Sequence, residues 1–509
     1  MSRSDNQRVA RSNSRRSASL PATVPRREWG GRFSPLDDTS RDTIIDNAFS
    51  ILERIGMASA PDWFIRLASD DGARRRGDGR LLFPRPRVEK ALARAARSVA
   101  VPGFVEDRGI DAGSGLVHTG TGGAAIDVLD AATGRYRDST LHDLLSIMRV
   151  VDACPNVHYG IRPLVARDMT DTFELDINTA YACLAGTSKP IGTSFAHAAH
   201  VAPVVSMFDR ALETEGGFHR QPFCMAVVVH AVSPLRYAPD GVDIMRAAIA
   251  EGMPLQTCSA GQAGATSPVT LAGALAQGLA ETLAGLMVVD LLKPGHHAIH
   301  AFMPFISDLR TGAMSGGGGE SAIANAAAAQ LLRHLQLPST VAAGMTDSKE
   351  ADVQAGYEKA YTIALAAHAG ADMINLSVGM LGSITVASPE ALVIDDEMLG
   401  AILRSVRGVD VTPEAIDLDA MERVVCGDGH YLGEPQTLAL MKSEYVYPCL
   451  GDRRGVHEWI ESGPESIWER ARSRVTKIAG DPAPAHLEAT ADQAIRSRFP
   501  IRLPGTGDE

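Results

Sequence analysis

Cysteine is scarce and scattered in this chain: six residues in 509 (Cys154, Cys183, Cys224, Cys258, Cys426 and Cys449), with no CxxC pair and no clustering with histidine. That argues against a structural zinc or a disulfide framework and points to a reducing, cytoplasmic compartment. Aromatic residues make up only 5% of the chain, and Asp+Glu outnumber Lys+Arg by 61 to 49, for a formal charge of -12. An acidic balance suits a phosphate backbone poorly, so nucleic acid is not an expected partner. The longest apolar run, around 279–292, is interrupted by Glu281 and Asp290 and reads as too short to span a bilayer. Also missing are HExxH, GxSxG, a Walker loop, a GxGxxG after a first strand and a two-carboxylate arrangement. Metal hydrolysis, serine-esterase, NTPase and glycosidase readings therefore lack their parts.

What remains is a chain with 45% hydrophobic and 22% charged residues, long enough for one large domain with extensions or for two to three ordinary domains. Residues 1–27 carry seven arginines against one acid. A transit peptide would look similar, but a solvated disordered arm over 1–30 is the plainer reading. Short β-prone runs then recur at 156–160, 190–194, 223–230, 254–259, 297–303, 313–316, 340–345 and 373–378, and helix-compatible stretches separate most of them. Eight strands with intervening helices predict an α/β fold, a closed (β/α)8 TIM-type barrel over 121–395, in preference to an open doubly wound sheet. The weakest link is 304–312, which has room for a loop but not for a helix. A helical extension over 31–120, C-terminal helices over 396–479 and a tail over 480–509 complete the expected organisation. A homo-oligomer is expected.

In a barrel of this kind the carboxyl ends of the strands decide the chemistry. The richest stretch runs from 314 to 380, where SGGGGE (315–320), STVAAGMTDSK and ADMINLSVG alternate with helices. Candidate catalytic residues are His158, Gln262 and Glu320. Candidate substrate contacts are Arg310, Tyr159, Phe302 and Thr346, and no metal site is expected. The glycine run 316–319 has the form of an anion cradle built from backbone N–H groups, although a turn that permits close packing is the plainer reading. Arg310 would clamp a carboxylate, or else pair with the neighbouring Asp308. His158, His197 and His230 would carry protons, or else be hydrogen-bonded interior histidines. Tyr159, Phe195, Phe302, Phe305 and Tyr357 would offer faces to a quaternary ammonium group, with core packing as the default. Asp428, His430 and Gly433 match DxHxxG, a cobalamin-carrying pattern, but neither the serine-x-leucine nor the GG pair that such a domain needs follows them. His430 is therefore not expected to be a resident cobalt ligand. A mouth with no evident nucleophile suggests that the reactive group arrives on a cofactor or a partner.

Four segments, SAGQAGATSPVTLAGALAQGLAETLAG (259–285), DLRTGAMSGGGGE (308–320), GMTDSKEADVQAGYEKA (344–360) and HYLGEPQTLALMKSEYVYP (430–448), resemble the trimethylamine methyltransferase superfamily. The resemblance covers most of 30–475. It implies a corrinoid-dependent methyltransferase on a (β/α) barrel. Members acting on trimethylamine carry pyrrolysine at the barrel mouth, whereas this chain shows only standard residues and is similar to the non-pyrrolysine branch, some members of which demethylate glycine betaine or related quaternary amines. By that likeness the expected donor is a small quaternary amine. The expected acceptor is the Co(I) of a corrinoid (cobalamin) supplied by a separate corrinoid-binding protein, with no cofactor bound permanently here. A non-catalytic quaternary-ammonium binding or sensing protein, and a methyltransferase using a different methylamine or a methoxyl donor, are the alternatives.

Overall fold

The computed structural model describes residues 29–505 apart from 428 and 483; the expected arm therefore lies almost wholly outside the described residues, as does Asp428 of the DxHxxG pattern. Eight short parallel strands form the centre: β1 His118–Thr119, β2 Gly160–Ile161, β3 Ile191–Thr193, β4 Cys224–Val229, β5 Leu255–Ser259, β6 Ala298–Phe302, β7 Ser339–Ala342 and β8 Met373–Asn375. From β2 to β8 each pairs in parallel with the next, and β8 pairs in parallel with β1. A parallel bridge between Gly120 and Tyr159, with the His158 N–H donating to Thr119 O at 2.7 Å, closes the seam between β1 and β2. The sheet is a barrel.

Parallel neighbours need crossovers, and helices supply them. Ahead of the barrel lie α1 Asp38–Arg54 and α2 Arg85–Arg94; around it follow α3 Leu141–Ala153, α4 Thr172–Gly186, α5 Val201–Ala211, α6 Pro239–Ala250, α7 Leu271–Leu292, α8 Gly319–His334, α9 Val353–Ala369 and α10 Pro389–Arg407. Their starts obey local chemistry. The Thr140 and Asp143 side chains form a reciprocal capping box at α3, and Asp171, Thr270, Asp352 and Ser388 cap α4, α7, α9 and α10. Helix α7 extends beyond the expected apolar run: its 22 residues are long and apolar enough to cross a membrane, yet 89% of the window is buried inside the protein. Its charged members are held internally. Glu281 accepts from Ser233 Oγ at 2.6 Å and from the Leu235 N–H at 2.8 Å, and Asp290 accepts from Arg87 and Arg94.

Two departures from the expected strand set have one cause. The expected sixth strand, 313–316, is a two-residue piece, Met314–Ser315, in a small sheet with Gln262–Ala263 and Phe305–Ser307 rather than a barrel strand. The first barrel strand, His118–Thr119, begins ahead of the expected boundary at 121. Two-residue strands have no periodicity to read, so pattern alone cannot separate a barrel strand from a rim strand. The missing helix at 304–312 follows directly, because β6 reaches α8 through that rim sheet.

The base of the barrel is plugged. Strands Val99–Val101 and Ile110–Ala112 form an antiparallel hairpin whose alternating burial turns Val99, Val101, Ile110 and Ala112 onto Tyr159, Ile161, Met225, Ile299 and Met373. Within the helical extension, α2 ends at Arg94, ahead of this hairpin. After α10 the chain turns at Gly408 (φ 76°), passes through four short helices, and returns as α11 Ile467–Gly480, which packs on α10 and α3. A last helix, Ala489–Arg496, docks through the Tyr181 hydroxyl, which donates to Asp492 at 2.5 Å and accepts from Arg496 at 2.7 Å.

Candidate functional site

Alternation along the strands defines the mouth. Met225, Ile299 and Met373 face the plug, so Val227, Val229, Ala301 and Asn375, two or four residues further on, line the same inner face nearer the carboxyl end. A polar floor crosses the barrel above the plug. The Tyr159 hydroxyl donates to Asn375 Oδ1 at 2.7 Å, Asn375 Nδ2 donates to Gln256 Oε1 at 3.0 Å, and Gln256 Nε2 donates to Thr340 Oγ1 at 2.8 Å. Above that floor the wall opens: Val229, at the end of β4, is 55% exposed.

Three of the seven candidate residues do not stand at the mouth. His158 precedes β2 and so belongs to the base; its Nδ1 accepts the Thr119 N–H at 3.1 Å, and its ring meets that of His118 edge-on at 5.6 Å. Burial pushes its pKa well below the ordinary imidazole value, so it stands neutral. Tyr159 is wholly buried with its hydroxyl spent in the floor. Phe302 points out of the barrel onto α7, where any side chain at Gly278 would lie 2.3 Å from its ring. None of the three is placed to touch a ligand from the mouth.

The other four candidates lie at the carboxyl end but do not converge. Thr346 is buried and donates to Glu358 Oε2 at 2.6 Å. Gln262 sits in the rim sheet, its N–H donating to Thr266 Oγ1 at 2.9 Å. Glu320 is exposed in the first turn of α8. Arg310 is 89% exposed and forks onto Asp308 with contacts of 3.0 and 2.7 Å, a local pair that holds the Asp308 carboxyl at about 2. The structural pairing weighed for Arg310 from sequence is the one found.

Two glycines of the run, Gly316 and Gly317, are closely packed, whereas Gly319 faces open space. A Cβ on Gly317 would stand 2.2 Å from Glu358 Oε2, so only glycine lets the loop approach that carboxylate. Asp347 pins the loop by accepting from the Gly316 N–H at 2.7 Å, Ser315 Oγ at 2.9 Å and Ser383 Oγ at 2.7 Å. His230 is likewise interior, its Nε2 lying 2.8 Å from Glu281 O, and His197 is exposed. Among the described residues no three His, Cys, Asp or Glu side chains form a cluster able to hold a metal.

One residue not chosen from sequence stands out by its electrostatics. Arg162 follows β2 directly, at the carboxyl end, and its Nε donates to Ser194 Oγ at 2.6 Å just past β3. Among the described residues it has no carboxylate within ion-pair distance. The nearest acid acting on it, Asp176, already accepts from the Ala196 N–H at 2.8 Å and sits 2.7 Å from His200 Nδ1. Burial pushes the Arg162 pKa down, yet a guanidinium does not lose its proton, so its charge stays in a poorly solvated place and is offset only in part, by Asp176. Such a charge is costly unless an anion joins it. The signal was present in sequence as an arginine immediately after a strand, but nothing there revealed that its acid partner was missing.

A family model described as Trimethylamine methyltransferase (MTTB) matches residues 2–502. The chain is 26% identical over 481 residues to a glycine betaine methyltransferase of Desulfitobacterium hafniense, covering 94% of this chain and 99% of that one. It is 26% identical over 479 residues to the trimethylamine methyltransferase MttB of the same species, covering 94% and 95%, and 28% identical over 406 residues to MttB2 of Methanosarcina mazei, covering 77% and 80%. Among solved structures, the hydroxylamine complex of MtmB superposes with a TM-score of 0.50 at 11% identity, covering 88% of this chain and 89% of that one; this likeness concerns the fold.

Proposed function

The chain belongs to the trimethylamine methyltransferase family, and from that membership we propose that it moves a methyl group from a quaternary amine of the glycine betaine type to the Co(I) of a corrinoid carried by a separate protein. The observation that carries the substrate class is Arg162: an enclosed guanidinium without a carboxylate partner, beside the mouth, suits a donor that brings its own carboxylate. The chemistry needs little from the protein. A quaternary nitrogen already bears the positive charge of a leaving group, so the C–N bond breaks with its electron pair passing to nitrogen. The electron pair of the acceptor's Co(I) would form the new bond to the methyl carbon, leaving the acceptor formally as methyl-Co(III), and the nitrogen would depart as a neutral tertiary amine. No proton donor and no protein nucleophile are required. The protein's share is orientation and exclusion of water, which by themselves supply a large part of the barrier reduction in a bimolecular transfer.

The test is methylation of a reduced corrinoid protein followed by cobalamin absorbance, with a panel of donors. Glycine betaine is expected to methylate cobalt and to yield dimethylglycine, while choline, which has the same head group and no carboxylate, is expected to react at least a hundredfold more slowly. Choline turning over as fast as betaine would remove the carboxylate from the reading. Failure of every quaternary amine alongside success of a tertiary amine or a methoxylated donor would move the substrate class. Calorimetric binding of betaine without turnover, in the presence of an active corrinoid protein, would make the chain a sensor.

A further inference from the structure

The polar floor has more hydrogens than it uses. Its four side chains, Tyr159, Gln256, Thr340 and Asn375, carry six hydrogens on oxygen and nitrogen, one on each hydroxyl and two on each amide. Three are spent inside the floor, on Asn375 Oδ1, Gln256 Oε1 and Thr340 Oγ1. Turning both amides over would change the direction of these bonds but not their number. The other three hydrogens, one on each amide and one on the Thr340 hydroxyl, meet no acceptor among the described residues. All four side chains are buried, and a buried amide hydrogen without an acceptor costs more than a carbonyl lone pair left over.

The surroundings offer nothing to accept them. Below the floor stands the apolar plug of Val99, Val101, Ile110 and Ala112. Above it, register sets the inner wall: Val229 pairs with Cys258, Cys258 with Ala301, and Ala342 with Asn375. Paired residues of parallel strands share a face, so small or apolar side chains line the way from floor to mouth. Val229 stands two residues beyond Val227, the register partner of Gln256, which is a rise of roughly 7 Å and suits a short donor. Asn375 is the floor member that keeps some exposure, 3% against 0% for Tyr159, Gln256 and Thr340.

A donor-rich floor beneath an apolar wall sorts the two ends of a zwitterion. A trimethylammonium head is positive and has no lone pair, so N–H groups repel it. A carboxylate accepts through both oxygens.

We propose that the floor is a subsite for the tail of the methyl donor: a carboxylate oxygen accepts from Asn375 Nδ2, with Gln256 and Thr340 behind it, and the trimethylammonium head is turned to the mouth. This rests on the quaternary-amine reading and adds the direction in which the donor lies. Arg162 bears on the charge of the tail and the floor on its oxygen atoms, so different variants test the two.

The test is calorimetric binding to the full chain of three probes at millimolar concentration: glycine betaine, acetate as the tail alone, and tetramethylammonium as the head alone. Asn375→Leu is expected to weaken glycine betaine and acetate by about tenfold or more and to leave tetramethylammonium within about twofold. Asn375→Asp keeps an acceptor for the Tyr159 hydroxyl but turns a negative charge on the tail; it is expected to weaken glycine betaine further and to tighten tetramethylammonium. A merely structural role would lower the melting temperature and weaken all three probes together, and would overturn the proposal. Glycine betaine bound equally by the unaltered protein and both variants would overturn it too, with the donor reading left standing. Acetate binding that depends on Asn375, without any binding of glycine betaine, would remove the donor reading and keep the subsite. An unaltered protein that binds neither would end both.

Discussion

The two ends of the barrel are built to opposite rules. At the base the volume is filled and a buried cation is fully hydrogen-bonded: four apolar hairpin residues occupy the opening, and Lys189 donates to Val151 O, Cys154 O and Val157 O at 2.6 Å each, although Asp111 Oδ1 and Arg87 Nη1 are buried without a partner. At the mouth the wall is open at Val229, and Arg162 has, among the described residues, no carboxylate within ion-pair distance. The base shows what this sequence does when stability alone is at stake. Both ends hold a cation without a carboxylate partner, but Lys189 is saturated by three carbonyls whereas Arg162 has one hydroxyl contact within 3 Å, so the mouth is the place at which to test for an anionic ligand.

The comparison can be broken most severely at the base. Val101→Asp would bury an unpaired carboxylate in the plug, and a loss of about 4 kcal/mol or more is expected in urea unfolding. A loss under about 1 kcal/mol would show that the hairpin does not seal the barrel. At the mouth, Arg162→Ala is expected to lower kcat/KM for a carboxylate-bearing donor by roughly a hundredfold to a thousandfold, about 3–4 kcal/mol, while leaving stability unchanged or improved. Arg162→Lys should restore part of that activity, because charge returns without the forked geometry. A large fall in melting temperature would instead make Arg162 a structural residue.

A smaller effect separates burial from function by pH. Asp396 is largely buried, accepts the Asn156 N–H at 2.8 Å, and is pushed up by burial to about 6. Its folded form holds a proton more tightly than its unfolded form, so its share of stability is greatest below the ordinary carboxylate range and is lost as pH rises through about 6. Asp396→Asn is therefore expected to stabilise the protein by about 1–3 kcal/mol above that pH and to do little at pH 4, as read from unfolding at both values. The smallest change is expected at Arg310: its pair with Asp308 is exposed, so Arg310→Ala should leave both melting temperature and KM unchanged. A tenfold rise in KM would return it to the substrate site.

The sequence was legible where patterns were long. Helices α4, α7 and α8 were anticipated because apolar periodicity extends over several turns, α10 only over 397–406, and β4, β5, β6 and β8 because β-branched runs stand between turns. Helix α3 was missed, although Thr140 and Asp143 spell its capping box. The site was less legible. His158 and Tyr159 were taken for the carboxyl end of a strand that in fact begins after them, a shift of two residues that moves a side chain from mouth to base. Gly317 and Arg162 carried their meaning in partners distant in sequence: a carboxylate at 358 that forbids a Cβ, and an acid at 176 already committed elsewhere.

By itself the sequence determined the class of barrel, the family and the lack of a clustered metal-ligand motif, because periodicity, composition and long motifs are local properties of a chain. Only the tertiary structure decided which end of each strand a residue occupies, which charges find partners, and which apolar faces stay uncovered. Those depend on register, burial and distance between residues hundreds of positions apart, which no local pattern encodes.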